Sequence, residues 1–302
     1  MGTKLYLSII SMRQILFYKG NESMLRKFAS NKIFVIVIAV FCCALWGIST
    51  PIVKMGYNYL NASHTPSLLL WVGLVFFVSG LIIIGGYSVF KRRPAFPQKK
   101  SLKRIFAVSI FQTILQYSLL YIGLAQTTSV KGAILKSTDV FFVALISSIV
   151  FKSEKLTAKK LIACIIGFLG IVVMNLDGLS LNINLGDVII IIAILSYSVS
   201  VVMTKLFAQK ENPIVLCGYQ MGLGGIVLAL IGLALGGKFD FFSMFPVFIS
   251  LALIYAVSYT LWTILLKYKV IKFSAENSHF KIHDQPQGVT LQDRPTSFFV
   301  TV

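Results

Sequence analysis

"SVKGAILKSTDVFFVALISSIVF", Ser129 to Phe151, is long and apolar enough to cross a bilayer, yet its first half carries Lys131, Lys136 and Asp139. On insertion scales a central Lys or Asp costs about 2.5–3.5 kcal/mol, while Leu, Ile, Phe or Val returns only about 0.3–0.6. Three charges facing lipid would cost roughly 8–10 kcal/mol, more than a dozen apolar neighbours could offset. They must face protein or water. At about 100° per residue, Lys136 lies about 60° to one side of Asp139 and Lys131 about 80° to the other, so all three share one helix face. At about 1.5 Å per residue from Val130, Asp139 sits roughly 13 Å in, close to the midplane. Lys131 can snorkel outward, and Lys136 and Asp139, three residues apart, can pair directly.

The rest of the chain fits a protein that lives in lipid. Of its 302 residues 57% are hydrophobic and 13% charged, too apolar for an ordinary soluble domain. Eight stretches approach the roughly 20 residues that a span needs: 33–56, 68–90, 105–124, 130–151, 161–176, 188–208, 214–235 and 245–266. The fold class expected is therefore an all-α polytopic membrane protein with eight transmembrane helices. The second stretch, "SLLLWVGLVFFVSGLIIIGGYSVF", is almost uniformly apolar and is expected to face lipid. Cys42, Cys43, Cys164 and Cys217 fall inside apolar runs without paired spacing, which indicates neither a disulfide framework nor a zinc site.

A net charge of +18 at pH 7 raises the question of nucleic acid, but the charges lie between the apolar runs. "KRRPAFPQKKSLKR" holds seven Lys and Arg, "KSEKLTAKK" four, and residues 1–32 six, whereas "DGLSLNINLGD" holds none. Cytoplasmic loops carry the excess of Lys and Arg, so both termini are expected inside, in a cell (inner) membrane, with the basic loops beside anionic lipid and no nucleic acid bound. Residues 1–23 do not fit a cleaved signal, and "LRKFASNK" after Met24 makes a more typical start.

Aligning the chain with itself at an offset of 151 sets Val37, Ile38, Ser49 and Lys54 against Val188, Ile189, Ser200 and Lys205, and Trp46 against Tyr197. Five spans separate the copies. An odd number means that the second unit enters from the opposite side, the inverted-topology plan of many secondary transporters. With "ALWG" at Ala44, "TTSVKGAIL" from Thr127, "EKLTAKKLIACIIGFLGIVVM" from Glu154 and "GDVIIIIAILSYS" from Gly186, the chain resembles the EamA-type permeases of the drug/metabolite transporter superfamily over residues 33–268. The resemblance implies ten helices in two inverted five-helix repeats around a central cavity. It divides the chain into a cytoplasmic segment 1–32, a first repeat 33–176, an incomplete second repeat of three helices 177–268, and a polar, disordered cytoplasmic tail 269–302. In the family a proline stands in the fourth helix where this chain has Asp139, so the family's kink has no proline here to make it.

The function expected is secondary transport of a small organic metabolite, with export as the implied direction and protons as the coupling ion through Asp139. The substrate-binding candidates are Asp139, Lys136 and Lys131, joined by Trp46 and Thr50 of the first span, Gln116 of the third, Tyr197 of the sixth and Tyr255 of the eighth. Gln112 and Gln116 are expected to share a face, and Lys54 to anchor the outer end of its span. A buried structural ion pair is the alternative role for Lys136 and Asp139. The rival functions are an inactive truncated transporter and a membrane-embedded enzyme. The latter would need paired acids, a metal-binding set or a nucleophile with its base, and no such constellation, phosphate-binding loop, cofactor or metal motif is found.

Overall fold

Asparagines open three of the long helices. Asn31 accepts from Ile33 N at 3.0 Å at the head of α1 (Lys32–Tyr59). Asn184 and Asp187 form a reciprocal capping box on α6 (Leu185–Ala208). Asn212, with Pro213 in the first turn, opens α7 (Pro213–Ala234). Between them run α2 (Thr65–Lys91) and α3 (Lys99–Gln126), and α8 begins at Phe241 and continues to Ser278. The computed structural model describes residues 31–60, 64–150, 183–238 and 240–278, with scattered helical positions between 158 and 173. Among the described residues every regular element is helical.

Six helices, α1, α2, α3, α6, α7 and α8, are long and apolar enough to cross a membrane. The expectation of eight continuous spans is corrected at the fourth. There the chain forms two shorter helices, α4 (Ser129–Ser137) and α5 (Asp139–Val150), separated at Thr138. The fifth expected span is described only at scattered helical positions, and the tail expected to be disordered from 269 instead continues as helix through Ser278, beyond which the chain lies outside the described residues.

The interruption has a local cause. Ser137 Oγ donates to Ile134 O at 2.6 Å and Thr138 Oγ1 to Leu135 O at 2.7 Å. Both carbonyls would otherwise serve only the next helical turn, and hydroxyls that bond backward compete with it. Thr138 N also turns to Leu135 O at 3.0 Å, and Phe141 N to Thr138 O at 3.0 Å, tighter than the α-helical pattern.

The second span does not face lipid. α2 lies antiparallel to α7 with backbones in contact: Leu70, Gly73, Phe77 and Gly80 meet Gly232, Ala229, Gly225 and Gly222 in reverse order. A Cβ on Gly225 would lie 2.3 Å from Phe77 N, and one on Gly73 would lie 2.3 Å from Ala229 N. Lipid tails are as apolar as leucine, so transmembrane helices associate through close packing and small residues rather than through hydrophobicity. Trp71, Val72, Val75 and Phe76 are buried as well; Trp71 packs on Tyr57 and Tyr121, Phe76 on Tyr117 and Tyr255, and Ser79 Oγ reaches Ala252 O of α8 at 3.0 Å. The least buried of the six long helices is α1, with Ile36, Val37, Val40, Phe41 and Ile48 turned outward.

Two further pairings complete the bundle: α1 packs along α8, and α3 packs along α6. Within α3 the segment Ser109–Leu115 is a π-helical turn. Gln112 and Gln116, four residues apart, are both buried on the side toward α6. Gln112 Oε1 accepts from Thr204 of α6 at 3.3 Å, while Gln116 turns toward the bundle centre.

The α2–α7 seam generates a prediction. Gly225→Ala should lower thermal stability in detergent by about 1–3 kcal/mol through overpacking. Gly85→Ala, where an added Cβ meets nothing within 4 Å, should be neutral or slightly stabilising. Equal melting temperatures for the two variants would contradict the seam.

Candidate functional site

At Thr138 the helical ladder of the fourth span tightens, with Thr138 N bonding Leu135 O and Phe141 N bonding Thr138 O. Charged residues stand on either side of this turn. Lys136 lies in the last turn of α4, where a cation is favoured, and Asp139 in the first turn of α5, where an anion is favoured.

Both line a cavity of about 30 Å³. Its walls are Trp46 from α1, Gln116 and Leu120 from α3, Ala193, Ile194 and Tyr197 from α6, and Tyr259 from α8. Lys136 and Asp139 interact electrostatically across the break, and Tyr197 and Cys43 lie within the reach of the Asp139 charge. The direct ion pair that regular helical spacing would allow is not formed. The turn at Thr138 removes the regular geometry on which that pairing depended.

Two polar atoms in the cavity wall have no hydrogen-bond partner among the described residues: the donor Trp46 Nε1 and the acceptor Gln116 Oε1. Buried polar atoms in native proteins are almost always paired, with protein, water or ligand. A volume of about 30 Å³ accommodates about one water, whereas small-molecule pockets run to roughly 300–1,000 Å³. The site therefore offers a cation, an anion, a free donor and a free acceptor in a contracted chamber. Among the described residues no group of three His, Cys, Asp or Glu could hold a metal ion.

Behind the cavity stands an aromatic wall. Trp46 packs on Tyr259 and Trp262, with ring centroids 5.3 Å apart in each case. The Tyr259 and Tyr117 hydroxyls bond to each other, and the Tyr121 and Tyr255 hydroxyls do so at 3.1 Å. Tyr255 also stacks on Phe76 at 4.9 Å.

Of the eight expected site residues, the structure brings Trp46, Gln116, Lys136, Asp139 and Tyr197 to one cavity. Three lie elsewhere. Tyr255 belongs to the aromatic core. Thr50 lies on a separate recess of about 520 Å³ lined by α1 alone, beside Pro51 and Lys54. Lys131 does not snorkel; it is buried and pairs with Asp187 of α6 at 2.6 Å. Asp187 also accepts from Thr127 Oγ1 at 2.8 Å and Asn184 N at 2.8 Å, so both carboxylate oxygens are used. Nor does Lys54 reach for headgroups: its ammonium caps the end of α3, donating to Leu124 O at 2.5 Å and Thr127 O at 3.2 Å.

Sequence reasoning missed Asp187. Its signal was the Asn184-x-x-Asp187 spacing of a capping box, together with the need of a buried Lys131 for a counter-charge. Losing one partner of a buried ion pair costs about 3–5 kcal/mol. Lys131→Met should therefore destabilise the protein by that order in thermal unfolding. Lys136→Met, which leaves no direct ion-pair partner behind, should cost clearly less. The reverse ranking would contradict the assignment.

Comparison with known proteins agrees with this architecture. The EamA-like transporter family matches residues 33–176 and 184–272. A protein from Archaeoglobus fulgidus described as an uncharacterized transporter is 26% identical over 192 residues, covering 64% of this chain and 65% of that protein. Another so described, from Methanothermobacter thermautotrophicus, is 26% identical over 137 residues, 44% of this chain and 40% of that one. The chain thus matches less than two thirds of the length of each of these curated relatives. No solved structure matches it. With most of its length matched by one family, the chain belongs to the EamA-like transporters, multi-pass proteins of the membrane.

Proposed function

We propose that this membrane transporter moves a small organic metabolite through the cavity at the α4–α5 break, and that Asp139 carries the coupling proton. One observation carries this reading: unpaired Trp46 Nε1 and Gln116 Oε1 line the same small chamber as Lys136 and Asp139. Ionisable residues within a bilayer are expensive and mark substrate or proton paths. Discontinuous helices whose ends face the bundle centre are the usual device for building such sites in secondary transporters. A carboxylate beside one lysine has either charge state within reach, which is what a proton carrier needs.

The cycle follows from the pairing of helices. If α1–α5 and α6 onward are inverted halves, then α1–α8 and α6–α3 are equivalent pairs and the α2–α7 seam lies on the axis relating them. Rocking of the halves enlarges the chamber toward one side and then the other. The orientation we propose has the basic loop Lys91–Arg104 and both termini in the cytoplasm, in an inner membrane, with export as the direction.

Membrane vesicles test this. With a radiolabelled mixture of small organic metabolites and an imposed pH gradient, gradient-driven flux in Asp139→Asn should fall by about tenfold or more. Val140→Leu, on the outward face of α5, should leave it unchanged. Flux that persisted undiminished in Asp139→Asn would end the proton-carrier role.

A further inference from the structure

Near each end of α6 an ion pair set in a chain of hydrogen bonds ties that helix to its neighbours, and Ala193 of the cavity wall lies between the two chains. At one end, Lys54 of α1 holds Thr127 O at 3.2 Å, Thr127 Oγ1 holds Asp187 Oδ1 at 2.8 Å, and Asp187 Oδ2 holds Lys131 Nζ at 2.6 Å. This chain runs from α1 through the α3–α4 link to α6 and back to α4. At the other end, Glu211 in the α6–α7 turn accepts from Ser101 Oγ at 2.5 Å and from Arg104 Nη1 at 2.6 Å, both of α3. The Glu211 carbonyl accepts from Lys267 Nζ of α8 at 3.3 Å. Asp187 and Glu211 flank α6 and stand about 36 Å apart along it, with Ala193 of the cavity wall about 9 Å from Asp187.

We infer that Asp187 and Glu211 are the two gate residues of the transport cycle, and that the structure is its doubly closed state. This rests on the function proposed above. A chamber of about 30 Å³ must open to each side in turn for a metabolite to enter and leave. The contacts that open must have a second arrangement of similar energy. Ion pairs have one: for the buried Lys131–Asp187 pair the attraction gained roughly offsets the desolvation cost, and at the partly exposed Arg104–Glu211 pair water already competes for the guanidinium. The α2–α7 seam, backbone against backbone, has no such alternative and acts as the fixed element. The two chains share no residue, so one end can open while the other stays shut.

Side-specific labelling tests the inference without knowledge of the substrate. Cys42, Cys43, Cys164 and Cys217 are replaced by Ala, and Ala193→Cys places one thiol in the cavity wall. A membrane-impermeant trimethylammonium methanethiosulfonate is applied to sealed right-side-out and inside-out vesicles. The parent should react slowly from both faces. Asp187→Asn should react about tenfold or more faster from one face, and Glu211→Gln equally faster from the opposite face. The exchange of Lys131→Asp with Asp187→Lys should return the rate toward the parent. Where Asp187→Asn fails to accumulate, Lys131→Gln replaces it and should open the same face. Unchanged rates, or increases at both faces in a single variant, would overturn the gates. Opposite-face opening in a protein that moves no metabolite would instead uphold the gates and sink the proposed function.

Discussion

Hydrocarbon cannot solvate an ionised side chain, and this one constraint organises the centre of the molecule. Lys136 and Asp139 would be prohibitively costly on a lipid-facing helix. They are tolerated because both line an internal cavity instead of facing lipid. At Thr138 the backbone turns, and the cation and anion fall at the ends that suit each. Two hydroxyl residues bond backward onto their own helix at the same place.

Around that centre, different forces serve different regions. The α2–α7 seam depends on glycine, since only a missing Cβ lets the two backbones touch. The ends of the bundle depend on ion pairs and hydrogen bonds, which water can replace. Aromatic packing of Trp46, Tyr259 and Trp262 backs the chamber and leaves the Trp46 indole N–H unpaired. A rigid middle, exchangeable ends and a small polar void make a coherent plan for a protein of a transporter family.

Much of this was legible in the sequence, because apolar length and charge placement are coarse signals that hydrocarbon enforces. The long spans could be read that way, and so could the need of the fourth-span charges for shelter. What could not be read depended on distinctions that lipid does not make. The uniform apolarity of α2 looked like a lipid face, but in a membrane a buried face and a lipid face have the same composition, and Gly73 and Gly80 were the discriminating residues. Lys131 and Lys136 both lie on α4 but about 140° apart around it, and Lys131 goes to Asp187 instead of the cavity. The expected count of eight spans is not confirmed among the described residues, where six helices are long and apolar enough to cross and the fourth stretch is divided at Thr138.

The most direct test of the central claim is the solvent at Asp139 itself. A nitroxide attached through Asp139→Cys, in a background without other cysteines, can be compared with one attached through Val140→Cys, whose native side chain is 41% exposed on the outer face of α5. Collision with a water-soluble nickel complex should exceed collision with oxygen at position 139 and fall below it at position 140. Oxygen-dominated collision at position 139 would show that the charge faces acyl chains, and the account would fail.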